Sequence, residues 1–381
     1  MRAPKILASA AVFVVTAAPI ALSGAGTPAL ADGGGSVGGT YVQHNLVSDI
    51  PGLAAHTDSN LRNPWGQTSG PGLPIWVSDN AAGVATVYDG AGNPQPDSLH
   101  PRVVTIPAAP SAGPGATGTP TGSAFNPIAN GFVVSENGVS GASMFLFATE
   151  DGTIAGWNSA VDPTRAITAV DRSTITDPAG DVGAVYKGLT MVTTPAGKFL
   201  YAANFRFGVV DVFDSHFNLV DSFTDSTVPA GFAPFGIHNI SGNLFVTFAK
   251  QDAAKHDDVA GKGNGFVDEF SPSGTLIKRL VSRGALDSPW AVTLAPSTFG
   301  RFGGDVLVGN FGNGHINAYD PVTGHHLGSL RTADGDQLVI PDLWGLRFPA
   351  GSLNVVPGAL YFAAGINNEK DGLFGDIVPR T

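Results

Sequence analysis

The chain has 381 residues, with 51 glycines, 28 prolines, no cysteine and 13% charged against 43% hydrophobic residues. That mixture is turn-rich and well buried, which excludes a helical bundle, and the missing cysteine excludes a disulfide framework. A formal net charge of −11 without any cluster of Lys or Arg excludes a surface that tracks phosphates, so nucleic acid is not an expected partner.

Residues 1–31 read as an export signal: MRAPK is a charged start, ILASAAVFVVTAAPIALSGAG an apolar stretch, and Ala29-Leu30-Ala31 a small-residue cleavage site. Residues 32–39 read as a flexible, Gly-rich lead-in. No later segment approaches the apolar length of a membrane span. The expectation is a secreted, extracellular monomer with no membrane span after signal cleavage.

From residue 40 onward a unit repeats. The pairs Trp65-Gly66, Thr121-Gly122, Lys187-Gly188, Phe235-Gly236, Trp290-Ala291 and Trp344-Gly345 recur at roughly 50-residue intervals, the period of propeller blades. Each pair precedes a β run: IWVSDN (75–80), FVVSEN (132–137), FLYAAN (199–204), LFVTFA (244–249), DVLVGN (305–310) and LYFAAG (360–365). Four of these six runs close on Asn, a residue suited to leaving a sheet. A third run follows in most units, such as GVATVYDG, MFLFATEDG and GVVDVFDS. A fourth, outer run is visible as VVTIP (103–107), LVDSFT (219–224), LIKRLV (276–281) and HLGSLR (326–331).

The last unit stops at LFGDIV (373–378), short of a fourth strand, and TYVQHNLV (40–47) is the candidate to supply it. Pairing the two would close the ring and remove exposed sheet edges. The predicted fold is therefore all-β: a single six-bladed β-propeller over 40–381, closed by pairing of an N-terminal strand with the last blade.

Two segments break the pattern. PAAPSAGPGATGTPTGS (107–123) reads as a long loop into blade 2, and AKQDAAKHDDVAGKGNG (249–265) is inserted between the second and third strands of blade 4. In four-stranded antiparallel blades that insertion falls on the same face as the closing Asn residues. The candidate ligand-binding mouth of the channel is accordingly Asp79, Asn80, Glu136, Asn137, Asn204, Asp252, His256 and Asn310. Oxygen ligands of this kind suit Ca²⁺, and Glu136, Asn137, Asn204 and Asn310 are the candidate metal set. The competing reading is that Asn and Asp serve the turns themselves. Trp65, Trp290 and Trp344 read either as ligand-stacking rings or as packing wedges.

The stretch IWVSDNAAGVATVYDGAG resembles NHL-type propeller repeats. NLVSDIPGLAAHTDSNLRNPWG, KQDAAKHDDVAGKGNGFVDEF, SPWAVTLAPSTFGRFGGDVLVGNFGNGHINAYDPVTG and PDLWGLRF are similar to an uncharacterised family of exported bacterial β-propeller proteins. Some of its members carry a PEP-CTERM sorting tail. The resemblance runs from about Tyr41 to the C-terminus and implies the propeller fold; no such tail follows GLFGDIVPRT, which points to a freely secreted protein.

No HExxH, GxSxG or Cys-based metal motif is present. The expected function is that of a binding module holding a small molecule, a glycan or a partner protein at the channel mouth. The alternative is a calcium-dependent lactonase- or esterase-like hydrolase. There an axial metal would polarise a carbonyl and Glu136 or Asp79 would act as base.

Overall fold

The computed structural model describes residues 39–380 except 98, 128 and 129. The leader and most of the lead-in expected over 1–39 lie outside the described residues. Six antiparallel four-stranded units are present, and each innermost strand carries one of the recurring pairs: Pro64–Thr68, Pro120–Phe125, Tyr186–Thr194, Phe232–Ile240, Pro289–Leu294 and Leu343–Arg347. We call these the A strands of blades 1 to 6, with B, C and D following outward. The chain is a six-bladed β-propeller.

The recurring pair is where each A strand bends. In all six blades the A–B register shifts across it, for example between Pro64 and Gln67, Tyr186 and Leu189, and Pro234 and Ile237. Bulges of this kind re-aim side chains and sharpen twist. In the five blades whose pair ends in glycine, that glycine meets the next A strand head on; blade 5 has Ala291 there. A Cβ at Gly236 would lie 1.8 Å from the Trp290 carbonyl oxygen, and one at Gly122 would lie 2.3 Å from the Leu189 nitrogen. Only glycine permits that spacing.

Blade faces are apolar because the strands are rich in alternating Val, Ile, Leu and aromatic residues, and each face is buried by its neighbour. Six clusters of buried side chains fill the blade interfaces. Trp76 and Val87 of blade 1 pack on Phe145 and Trp157 of blade 2, and Val246 of blade 4 belongs with Tyr201 and Val210 of blade 3. Each fully buried large side chain contributes on the order of 1.5–3 kcal/mol.

Ring closure follows the expectation. Tyr41–Ser48 pairs antiparallel with Leu373–Pro379, from Tyr41↔Pro379 to Ser48↔Leu373, with one bulge between Asn45 and Val47. A short parallel strand, His56–Thr57, extends the same sheet outward. No helix among the described residues is long and apolar enough to cross a membrane.

Blade 2 departs from the sequence reading. Residues 133–142 fold on themselves as a hairpin, Val133–Glu136 against Val139–Ala142, outside the four-stranded sheet. Asn137 and Gly138 both have positive φ, 49° and 81°, as a two-residue hairpin turn requires. The B strand is Phe145–Thr149, buried along its whole length, and the C strand is Thr153–Trp157.

Replacing Gly236 by Ala is expected to force blades 4 and 5 apart and cost about 1–3 kcal/mol in chemical denaturation. Gly39→Ala, whose Cβ would meet only the Arg301 side chain at 3.4 Å, is expected to stay within about 0.5 kcal/mol of wild type. Equal stabilities would contradict the tight ring.

Candidate functional site

The aromatic members of the recurring pairs meet across the axis. Trp65 of blade 1 stacks on Trp344 of blade 6 with ring centroids 3.3 Å apart, and Phe311 stacks on the same indole at 4.0 Å. Trp290 of blade 5 meets Trp65 edge-on at 6.2 Å, and Phe235 of blade 4 reaches Trp344 at 5.8 Å. Contacts between blades that are not neighbours in the ring place these rings on the axis, where they form a plug. Trp344 Nε1 donates to Asn63 Oδ1 at 3.1 Å, which ties the plug to the mouth above it.

Blade 3 has Lys187 at the position where the other blades carry Trp, Phe or Thr. Its side chain is 2% exposed and its ammonium lies 5.0 Å from the centre of the Trp65 ring and 5.8 Å from that of Phe205. A lysine so buried needs partners. Glu150, at the end of the blade 2 B strand, supplies a hydrogen-bonded ion pair, and Asp257 Oδ1 from the blade 4 insertion lies 3.5 Å away. Burial pulls the lysine pKa down, but the two carboxylates with Asp258 outweigh it and hold the pKa above its ordinary value.

Around this pair a polar network closes. Asn80 Nδ2 donates to Glu150 Oε2 at 2.8 Å, and Asn63 Nδ2 donates to Glu369 Oε2 at 2.8 Å. His256 Nδ1 lies 2.8 Å from Asp257 Oδ1, and that carboxylate raises the histidine pKa. Burial pushes Asp258 up to about 6 and Glu369 up to about 7, the latter although the Asn63 hydrogen bond opposes the shift. Glu369 ends three consecutive left-handed residues, Asn367, Asn368 and Glu369, with φ of 61°, 56° and 63°. Left-handed backbone costs roughly 1–2 kcal/mol per L-residue, and Asp342 Oδ2 helps to hold the turn by accepting from Asn368 N at 3.0 Å. Strain of this kind concentrates at working sites.

Of the eight residues expected at the mouth, the structure brings Asn80 and His256 into this network. Glu136 and Asn137 sit on the outer hairpin of blade 2, where Glu136 pairs with Arg165. Asn204 is committed to Asp211 Oδ2 at 3.0 Å and to its own turn through Phe207 N. Asn310 donates to Ala285 O and Asn313 Oδ1. Asp79 is sealed inside blade 1, accepting from the Thr86 amide and hydroxyl, and burial raises its pKa well above the usual carboxylate range. Asp252 organises the insertion by accepting from His256 N at 2.9 Å. Glu136, Asn137, Asn204 and Asn310 therefore do not come together as a metal set: two lie on an outer hairpin and two are spent on turns.

A different triad is present. Glu150, His256 and Asp257 each offer one ligand atom, all within 4.8 Å of one another. One imidazole and two carboxylates are not the all-oxygen set that calcium takes. The Lys187 ammonium already lies against both carboxylates. These residues do not fit calcium.

No family model matches the chain. It is 31% identical over 345 residues to the uncharacterized protein R648 of Acanthamoeba polyphaga mimivirus, spanning 89% of this chain and 80% of the relative. It is 32% identical over 346 residues to protein L690 of the same virus, spanning 89% of this chain and 86% of the relative. The chain belongs to this family. Among solved structures it is similar to a streptogramin B lyase, with a TM-score of 0.50 and 12% identity over 90% of this chain and 99% of the other. At that identity the likeness shows the propeller fold alone.

Two predictions follow from the network's energetics. Lys187→Met strands the Glu150 carboxylate and is expected to destabilise the protein by about 3–5 kcal/mol. Adding Glu150→Gln is expected to recover at least about 1 kcal/mol of that loss in a double-mutant cycle. For Glu369, a folded pKa of about 7 lies above the ordinary 4.5, so the folded state keeps a proton that the unfolded chain releases. Stability then falls as pH rises from about 5 to about 7. Glu369→Gln is expected to flatten that part of the stability–pH curve, and parallel curves for the two proteins would contradict it.

Proposed function

We propose that this protein is an exported propeller that binds a small, hydroxyl-rich ligand of the sugar or lactone type at the mouth formed by Asn63, Asn80, Glu150, Lys187, His256 and Glu369. One observation carries the reading: side chains from five of the six blades converge in a single hydrogen-bonded and ion-paired network above an aromatic floor. Rigid blades position them, while Asp257 and His256 remain reachable from solvent at 68% and 38% side-chain exposure. Carboxylates and amides there can accept and donate to ligand hydroxyls, and the partly exposed loop over 249–265 can adjust to what is bound. Export is supported by the leader-like residues 1–31, and the resemblance to exported bacterial propellers agrees with it.

A hydrolytic reading comes second. It is favoured by Glu369, a carboxyl able to give up a proton near neutral pH, in the same network as His256, which is drawn to its protonated form by Asp257. Calcium has no place in it, because Lys187 already supplies positive charge to Glu150 and Asp257.

Isothermal titration of the chain from residue 32 with a panel of neutral monosaccharides, amino sugars and aldonolactones tests the proposal. At least one member is expected to bind, with affinity reduced tenfold or more in His256→Ala and in Glu369→Gln. No binding across the panel, or binding indifferent to both substitutions, would overturn it. Release of the ring-opened acid from a lactone would favour the hydrolytic reading.

A further inference from the structure

The axial plug has a second side. Beyond Trp290 the A strands diverge around a cavity of about 570 Å³ that all six blades line, with Gln67, Ser123, Thr190, His238, Thr293 and Arg347 contributing in blade order. Its outer rim reaches solvent at the exposed Asn239. A cavity of this size suits a small organic molecule. The mouth site lies on the far side of the tryptophans, so the two sites are independent.

The charge inside is unbalanced. No Asp or Glu lines the cavity, and Arg347 makes no ion pair among the described residues. Its Nη2 reaches the Ser69 carbonyl at a long 3.4 Å, and its Nε is buried without any acceptor. The Gln67 Oε1 and Ser123 Oγ atoms are likewise buried without partners. Arg347 is half-buried, and a guanidinium nitrogen sealed from water is ordinarily paired, because leaving it without an acceptor is costly.

His238 adds no second charge. Its Nε2 lies 3.3 Å from the Trp290 carbonyl oxygen and donates to it, leaving Nδ1 as an acceptor. Burial and the neighbouring Arg347 push its pKa down to about 4, so it is neutral in neutral solution. The cavity thus holds one fixed positive charge, a ring of neutral hydroxyl and amide groups, and apolar walls from residues such as Met191 and Leu346.

We propose that this cavity binds a small organic monocarboxylate, whose carboxylate pairs with Arg347 while its apolar body lies along the walls toward Trp290. A guanidinium matches a carboxylate with two parallel N–H···O bonds, which would give Nε the acceptor it lacks. A single cation with no second one beside it suits a monoanion better than a doubly charged phosphate.

Titration calorimetry with benzoate, phenylacetate and octanoate, each against its neutral amide, tests the assignment. At least one carboxylate is expected to bind at least tenfold more tightly than its amide, and Arg347→Gln is expected to erase that difference. His256→Ala, at the other end of the axis, is expected to leave it unchanged. Binding of acid and amide alike, retention of the preference in Arg347→Gln, or no binding of any probe would overturn the proposal. Should Arg347→Gln fail to fold, the difference between acid and amide in the wild-type protein decides by itself.

Discussion

Everything in this molecule depends on how closely six inner strands can approach one axis. At the recurring pair the strand bulges, the glycine abuts the backbone of the next blade, and the residue before it is turned toward the centre. With a side chain at Gly236 or Gly122 the neighbouring strands would have to separate, and the rings of Trp65, Trp290 and Trp344 could not meet. The repeat is therefore more than a record of blade count. It is the device that converts six separate sheets, each with two apolar faces to bury, into one closed ring.

Closing the axis with aromatic side chains has an electrostatic consequence. The plug separates two ends of the channel, and each end carries a charge pattern of its own. On the insertion side, acids from blades 2, 4 and 6 surround the single buried Lys187. On the other side, Arg347 stands in a cavity that no acid among the described residues lines. Placed in one open channel these groups would neutralise one another; kept apart by tryptophan, they leave two sites of different chemistry on one scaffold.

Much of this was legible in the sequence, and the exceptions have physical causes. Blade number, closure by Tyr41–Ser48 and the position of the 249–265 insertion follow from spacing and alternation, because those patterns are set by burial. Sequence alone does not separate FVVSEN from MFLFATEDG as the B strand of blade 2, because both alternate; the structure assigns it to Phe145–Thr149. The Asn137-Gly138 pair between two short β runs was the signal of a separate hairpin. With the register set by Pro120↔Thr149, Thr149 takes the place expected for Glu136 and Glu150 the place expected for Asn137. Lys187 was hidden in plain sight: in the column Trp65, Thr121, Lys187, Phe235, Trp290, Trp344 it is the one charged residue. Asn204 and Asn310 misled because a turn and a ligand site ask for the same side chain. Glu369 was not legible, since its place depends on a left-handed turn that no local pattern announces.

Ring closure buries one lysine over the axial tryptophans and holds it charged with acids from two other blades. Nitrogen-15 NMR of the Lys187 side chain at increasing pH tests this most directly. An ammonium resonance is expected that exchanges slowly with water and stays protonated beyond the ordinary lysine value of 10.5. A Lys187 amine that loses its proton below that value, or that exchanges as fast as surface lysines, would contradict it.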